Sequence, residues 1–372
     1  MNEFVISIFF LLIVFIGAAV FSAKTKKPSF LSFVLNLEIE YIIIGVLIYL
    51  INAHYFKTSI QNTTMTFISI ALCFMGMLIG TQFKYKVLLK VPGAFWKYII
   101  ATYTLSFLSI FIIFYLLNYD APYLYAIILN TGMPYSLTLF GRLFRVGPSK
   151  LFNSMLVLSI YPAIALIHYS VYFFIQNPNS PHQLLSLFWL VIFTVGIISY
   201  ESQQTRKIIN TISMIFLFIL AGLSVYFDVS PISMGFISGI IAANSPFGDI
   251  FSNIYQSFER FFYLFIYMIL GFFLMSQPYI GIKHIITAVL IYFSLLLIRH
   301  FAFSNLFARL HGKNREIQSI ISIGVLPGFL LFDSFFTELS LIPLEIVTVY
   351  LVLYLLTEIT NYRILVNETK HL

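Results

Sequence analysis

The sequence is poor in charged residues. Asp, Glu, Lys and Arg make up 9% of the 372 residues, whereas soluble domains average roughly 25%. Mean hydropathy is +0.95, and the apolar runs of about 18 to 27 residues are long enough to cross hydrocarbon as helices. The sequence therefore predicts an all-α polytopic membrane protein with no soluble domain.

Cysteine is also nearly absent, since Cys73 is the only one. This excludes an intrachain disulfide and a cysteine-based metal site. No Gly-rich phosphate loop, metal-ligand cluster or nucleophile–base spacing stands out, so the sequence predicts neither an enzyme nor a cofactor. The net charge of +7 does not indicate nucleic acid, because Lys and Arg lie in short clusters between apolar runs, where they mark topology.

The apolar runs predict about thirteen membrane-spanning helices. The separation of two of them at 228–231 rests on turn chemistry alone. Basic clusters alternate between the loops, which predicts an outside N-terminus and a cytoplasmic C-terminus. The predicted ranges are 4–23, 33–52, 63–83, 94–118, 121–141, 150–176, 183–200, 208–227, 229–246, 256–277, 283–306, 316–336 and 339–360.

Two predicted helices carry Gly and Pro near their middle, in the segments Asn130-Thr131-Gly132-Met133-Pro134 and Gly324-Val325-Leu326-Pro327-Gly328. The helices over 63–176 recur over 256–360 at spacings of about 189 to 195 residues, in the opposite direction across the membrane. Inverted repeats with interrupted helices are typical of secondary transporters, whose substrate site lies at the interruptions. The two segments are therefore the predicted transport site.

Two of the basic side chains in predicted spanning helices are candidates for a functional role. Arg299 is expected in the helix over 283–306, either as a functional charge or snorkelling toward the membrane surface. His168 is expected in the helix over 150–176, where a proton relay and a hydrogen-bonded packing role are both open.

Acidic residues are unevenly distributed, with no Asp or Glu between Asp120 and Glu201. Asp333, Glu345 and Glu358 are all expected near a membrane interface and solvated. Asp333 and Glu345 are the better candidates for proton coupling, because a carboxylate that exchanges a proton for a cation is the usual coupling group in such transporters.

Four stretches resemble the monovalent cation:proton antiporter family, the sodium/proton and potassium/proton exchangers, and the resemblance covers nearly the whole chain. They are 72–83 (LCFMGMLIGTQF), 234–247 (MGFISGIIAANSPF), 258–274 (FERFFYLFIYMILGFFL) and 295–312 (LLLIRHFAFSNLFARLHG). The resemblance implies a dimerising panel domain and a core domain in which the two interrupted helices cross. It also implies a bacterial or archaeal cell membrane, a monovalent cation and protons as substrates, and Arg299 at the basic position of the family.

The sequence departs from this family at two places. The family's crossover reads Thr, then Asp or Ser, then Pro, whereas this chain has Thr131-Gly132-Met133-Pro134. The family's next helix carries an acid pair, where this chain has Ser159-Ile160-Tyr161-Pro162-Ala163, which makes Tyr161 a candidate site residue without a carboxylate. The resemblance predicts cation/proton antiport by alternating access. A transport-inactive sensor or partner subunit, or a transporter of an anion or other solute, stays open.

Overall fold

The structure is a computed structural model, and the part of the chain that it describes forms twelve α-helices. The described residues are 40–51, 61–89, 91, 93–131, 148–176, 189, 192, 196, 206–227, 229–245, 248–275, 281–302, 326–336 and 345–370. The helices are α1 (Glu40–Ile51), α2 (Gln61–Thr81), α3 (Tyr85–Leu88), α4 (Gly93–Leu116), α5 (Pro122–Leu129), α6 (Pro148–Gln176), α7 (Arg206–Tyr226), α8 (Pro231–Ala243), α9 (Gly248–Met275), α10 (Ile282–Ala302), α11 (Leu326–Phe336) and α12 (Glu345–Lys370).

Most predicted helices within these residues are confirmed to within a few positions. The separation at 228–231 is confirmed, because α7 ends at Tyr226 and α8 begins at Pro231. Proline suits a first helical position, since its missing amide has no helical partner there. The predicted helix over 4–23 lies outside the described residues, and so does most of the one over 183–200.

Several predicted helix ends are wrong. Helix α9 begins at Gly248 rather than 256, and α12 extends to Lys370 rather than ending at 360. Hydropathy marks only the apolar part of a helix, so it does not predict that the polar first and last turns are helical. The short helix α3 was not predicted for the same reason.

One stretch of the described residues, Trp96–Leu116 in α4, is long and apolar enough by itself to cross a membrane, with hydropathy 2.1. Shorter apolar helical stretches of 10–17 residues accompany it, including Phe67–Thr81, Pro231–Ala243 and Ile346–Thr360.

Helices α2 and α8 pack backbone against backbone through two glycines on each. A Cβ atom built on Gly76 would stand 2.0 Å from the Ile232 carbonyl oxygen, and one on Gly235 would stand 2.0 Å from the Cys73 carbonyl oxygen. One turn further along, a Cβ atom built on either Gly80 or Gly239 would stand 2.9 Å from the Cα atom of the other. Glycines four residues apart permit such approach on membrane helices.

Helix α9 packs beside this pair and connects it to the rest of the bundle. Its Gly271 lies so close to α1 that an added Cβ would stand 2.0 Å from the Ile42 carbonyl oxygen. The ring of Phe74 on α2 stacks on Phe262 of α9 with centroids 3.9 Å apart. Helix α9 also contacts α11 and α12. The short helix α11 contacts α2, α5, α8, α9 and α12, so it lies among these five helices.

Candidate functional site

Helix α5 ends where the sequence predicts an interruption. Its last residue is Leu129, and Asn130 caps it with a backbone N–H that donates to the Ala126 carbonyl. The Asn130 side chain donates to the backbone carbonyl of Tyr103 at 3.0 Å. The Thr131 hydroxyl donates to the Ile128 carbonyl at 3.2 Å. Both side chains are buried, so the end of α5 is fixed inside the bundle.

Helix α11 begins within the second predicted segment and contacts α5. Pro327 is buried in its first turn. A Cβ atom on Gly328 would stand 2.9 Å from Leu270 Cδ1 and 3.5 Å from Tyr350 Cε1, so this glycine lets α11 approach α9 and α12. The structure thus brings together the helices that carry the two Gly/Pro segments.

Asp333 of α11 is fully buried, at 0% exposure. Its Oδ2 accepts a hydrogen bond from the Tyr169 hydroxyl of α6 at 2.8 Å, and its Oδ1 accepts one from the Ile232 amide of α8 at 3.1 Å. Three helices, α6, α8 and α11, therefore meet at this one side chain.

The N-terminus of α8 explains why a carboxylate fits there. Ser230 is the N-cap and its hydroxyl accepts the Ser233 amide at 3.1 Å, while Asp333 accepts the amide of Ile232. The Ser233 hydroxyl also bonds the Ser170 hydroxyl of α6 at 2.8 Å. Free amides and the helix dipole favour negative charge at a helix N-terminus. The Ile232 amide and the Tyr169 hydroxyl therefore both donate to the Asp333 carboxylate beside this helix N-terminus.

A second polar cluster surrounds His168, on the part of α6 that faces α4 and α5. The Tyr103 hydroxyl lies 3.0 Å from His168 Nδ1, and the Tyr123 hydroxyl lies 2.7 Å from Nε2. The Phe107 ring packs on the imidazole with centroids 4.9 Å apart, and Tyr161 packs edge-on against Tyr103 at 5.4 Å. A neutral imidazole donates through one nitrogen and accepts through the other. The cluster can therefore hold His168 in one tautomer and pass a proton between two hydroxyls.

The structure places some of the predicted site residues and leaves others undescribed. Arg299 lies on α10 and Glu345 is the first residue of α12, but neither side chain is described. The residues outside the described part of the chain are Gly132, Met133, Pro134 and Gly324. The predicted residues with described surroundings are Thr131, Tyr161, His168, Pro327, Gly328 and Asp333.

The expectation that Asp333 and Glu358 are solvated near an interface is wrong. Asp333 is 0% exposed and Glu358 is 1% exposed. Asp333 is buried because α6 and the start of α8 cover the end of α11. Glu358 is not near a helix end, because α12 continues to Lys370.

At the opposite end of α8, polar side chains join two loops. Asn244 donates to the Phe83 carbonyl at 3.0 Å and accepts the Tyr85 amide at 2.8 Å. Lys84 forms an ion pair with Asp249 in the first turn of α9. The hydrogen bond and charge of Lys84 lower the pKa of the Asp249 carboxyl. This contact is exposed and lies far along α8 from Asp333.

Comparison with known proteins was made at three levels. No model of a protein family matches the chain, and no curated protein matches it in sequence. Solved structures do match. The sodium proton antiporter MjNhaP1 from Methanocaldococcus jannaschii, solved at pH 8, is 14% identical, with a TM-score of 0.62 over 97% of this chain and 100% of that one. The chain has the fold of a sodium/proton antiporter. It is an integral membrane protein of all-α polytopic architecture, as the sequence predicts.

Within this antiporter fold, sequence reasoning missed the partners of the predicted side chains. Tyr103, Tyr123 and Tyr169 are not among the site residues that the sequence predicts. Ser230 followed by Pro231 is a recognisable helix start, and it could have pointed to the N-terminus that Asp333 occupies. The tyrosines carry no comparable signal, because the chain has 24 of them.

Proposed function

We propose that this chain is a secondary transporter that exchanges a monovalent cation for protons by alternating access. The antiporter fold supports the class of transport. The observation that carries the proposal is Asp333, a fully buried carboxylate at the junction of α6, α8 and α11. Asp333 supplies a carboxylate next to α6, which has no Asp or Glu of its own between Ser159 and Ala163.

In this mechanism the Asp333 carboxyl group binds either a proton or a cation. When it is ionised, the Tyr169 hydroxyl and the Ile232 amide donate to it, and the remaining lone pairs are available to the cation. When a proton displaces the cation, the neutral acid costs less to keep in the membrane interior. Exclusive occupancy by one or the other couples the two fluxes.

The remaining site assignments are part of the same proposal. The ends of the interrupted helices, with Thr131 and Gly328, line the path of the cation, and Arg299 contributes fixed positive charge. His168 relays protons through Tyr103 and Tyr123, and Glu345 stays a candidate coupling group. The inverted repeat over 63–176 and 256–360, the homodimer, the bacterial or archaeal cell membrane and the outside N-terminus belong to this proposal.

The test is transport by the purified chain in liposomes that contain a pH-sensitive dye. Na⁺, K⁺ and Li⁺ are added across an imposed proton gradient, and cation-dependent proton movement is expected. Asp333→Asn should abolish it, whereas Asp249→Asn, which removes an exposed carboxylate, should leave it intact. Equal exchange by Asp333→Asn and the unchanged chain would show that another group couples the fluxes.

A transport-inactive sensor or partner subunit is the second candidate. The observation that favours it is the placement of Asp333 as a cap for the first turn of α8, which is also a purely structural role. No proton movement with any of the three cations, in tight vesicles that contain folded protein, would favour this alternative or a different solute such as an anion drawn to Arg299.

A further inference from the structure

The two hydrogen bonds of Asp333 described above come from donors of different kinds. The Ile232 amide belongs to the backbone of α8 and bonds Oδ1 at 3.1 Å. The Tyr169 hydroxyl belongs to a side chain of α6 and bonds Oδ2 at 2.8 Å. Every residue except proline would supply the amide, whereas few side chains would supply the hydroxyl. Tyr169 is therefore the donor through which the sequence can alter the chemistry of Asp333.

The neighbours of Tyr169 on α6 hold its hydroxyl in position. The preceding residue, His168, lies within hydrogen-bonding distance of two tyrosine hydroxyls, one on α4 and one on α5. The following residue, Ser170, bonds the Ser233 hydroxyl of α8 at 2.8 Å. Tyr169 itself is 0% exposed. Because this turn of α6 is bonded to three other helices, the Tyr169 hydroxyl lies ready beside the carboxyl group and need not reorganise to meet its charge.

A hydroxyl donor distinguishes the two protonation states of Asp333. A hydrogen bond to an ionised acceptor is roughly twice as strong as one between neutral groups. The bond from Tyr169 therefore favours the carboxylate over the carboxylic acid, by about tenfold in the equilibrium between them. An ionised carboxylate offers about four acceptor sites, which is more than the bonds from Tyr169 and Ile232 occupy. The same bond is thus compatible with a cation bound to the ionised group.

Other buried titratable side chains lie on the helices packed against α11. Tyr263 of α9 and Tyr350 of α12 lie against the first turn of α11. Helix α8 carries no titratable side chain between Pro231 and Ala243. Further buried groups on these helices are Cys73 of α2, Tyr125 of α5 and Glu358 of α12. The test below compares chains in which these groups are unchanged, so their influence on Asp333 is the same in each.

We propose that Tyr169 is a positioning residue that sets the balance between proton and cation at Asp333. Its hydrogen bond favours the ionised carboxylate, which binds the cation, over the carboxylic acid, which holds the proton. In one exchange the carboxyl group releases one proton and binds one monovalent cation, while Tyr169 keeps its own proton. The exchange for a cation rests on the proposed function, whereas proton binding to Asp333 does not.

Infrared spectroscopy of the full chain in lipid follows the carbonyl band of protonated carboxylic acids as pH changes, without requiring transport. The part of this band that Asp333→Asn removes reports Asp333. In Tyr169→Phe the midpoint of this part should lie about one pH unit higher than in the unchanged chain, because the lost bond favoured the ionised form. An unchanged midpoint overturns the proposal, and so does the absence of any band that Asp333→Asn removes.

The matched control is Tyr255→Phe. Tyr255 is also a fully buried tyrosine, but its hydroxyl bonds the Ser213 carbonyl instead of a carboxylate. The control loses a hydroxyl of the same kind, so it should retain the midpoint of the unchanged chain. An equal shift in Tyr255→Phe and Tyr169→Phe would mean that the loss of any buried hydroxyl moves the midpoint, which overturns the assignment to Tyr169.

A second variant keeps the hydroxyl and changes only its strength as a donor. Replacement of Tyr169 by a fluorinated tyrosine withdraws electrons from the hydroxyl, so its bond to Asp333 becomes stronger. The midpoint should then move to lower pH, opposite to the shift in Tyr169→Phe. A purely structural role of the ring predicts no such pair of opposite shifts. This variant also tests the proposal if Tyr169→Phe does not fold, and an unchanged midpoint in it overturns the proposal.

Liposome exchange with Na⁺, measured over the same pH range, separates this inference from the proposed function. The pH dependence of cation-driven proton movement should shift upward in Tyr169→Phe, as the infrared midpoint does. If the unchanged chain moves no protons while the infrared midpoint shifts as expected, cation exchange alone is rejected. If protons move and the infrared midpoint does not shift, the role of Tyr169 alone is rejected.

Discussion

Helix α8 is held at its side and at its N-terminus by different kinds of contact. Along its side, Gly235 and Gly239 lie against the backbone of α2. At its N-terminus, the amide of Ile232 is bonded to the Asp333 carboxylate. The first contact depends on the absence of side-chain volume, and the second depends on a charged acceptor. The two should therefore respond to different substitutions.

The glycine contact sets the position of α8 against α2, whereas the contact at the N-terminus of α8 can change when a proton binds to Asp333. Backbone packing on glycine has no titratable group, so pH leaves it unchanged. The contact through Asp333 changes when the carboxyl group gains or loses a proton. A change in the protonation of Asp333 therefore acts on the contact at the N-terminus of α8 and not on its contact with α2.

The largest effect is expected from filling the glycine contact. Gly235→Ala places a methyl group 2.0 Å from the Cys73 carbonyl oxygen. Because that atom belongs to the backbone, α2 and α8 must separate, at a cost above the roughly 1–3 kcal/mol typical of overpacking. The midpoint of thermal unfolding in detergent measures it. The control is Gly222→Ala on α7, where an added Cβ meets no atom within 4 Å. Similar midpoints for the two variants would contradict the close approach.

The next effect concerns the charged acceptor. Asp333→Leu leaves the Tyr169 hydroxyl and the Ile232 amide without their acceptor, but it also removes the cost of burying a charge, so the net loss is about 1–3 kcal/mol. Asp333→Asn retains one carbonyl oxygen and should lose less. Thermal unfolding of both variants checks the order. A leucine variant at least as stable as the asparagine variant would mean that apolar packing, rather than the bonds, stabilises this junction.

A smaller effect is expected from removing one donor. Tyr169→Phe deletes a single hydrogen bond to Asp333 and should lower the free energy of unfolding by about 1 kcal/mol. Tyr172→Phe on the same helix is the control, because Tyr172 packs against Tyr123. If both variants unfold together, the bond from Tyr169 contributes nothing measurable.

The smallest effect is expected at the exposed ion pair of Lys84 and Asp249, remote from both contacts. The folded-state pKa of the Asp249 carboxyl group lies below the ordinary carboxyl value. The pair therefore stabilises the fold at pH values above the unfolded-state pKa of about 4. This stabilisation is lost as pH falls through the lowered folded-state pKa. Unfolding midpoints of the unchanged chain and Asp249→Asn should therefore differ slightly at neutral pH and converge in acid. High salt should shrink the neutral-pH difference, since exposed pairs are screened.

Local chemistry let the sequence predict where several helices end. The start of α8 follows a serine–proline pair, and α5 ends directly before Asn130-Thr131-Gly132. These boundaries depend on residues within one helical turn. The antiporter-like architecture was also predictable, from the resemblance of four stretches of the sequence to the monovalent cation:proton antiporter family.

The surroundings of the acids were not predictable, because they depend on residues distant in the sequence. Tyr169 is 164 positions from Asp333, and Ile232 is 101 positions from it. Hydropathy predicts the position of a side chain along a helix, but not which residues of other helices it contacts. It also missed the first turns of α9, where Asp249 lies on a helix that begins outside the apolar run.

The burial of the single cysteine has a practical consequence. Cys73 is 0% exposed and its backbone carbonyl lies against Gly235, so thiol reagents in water cannot reach it while α2 and α8 stay together. The natural chain should therefore react very little with thiol reagents used for site-specific labelling. A single cysteine introduced at an exposed position, such as Tyr226 at the end of α7, would carry a fluorophore or spin label alone, without first removing any native residue.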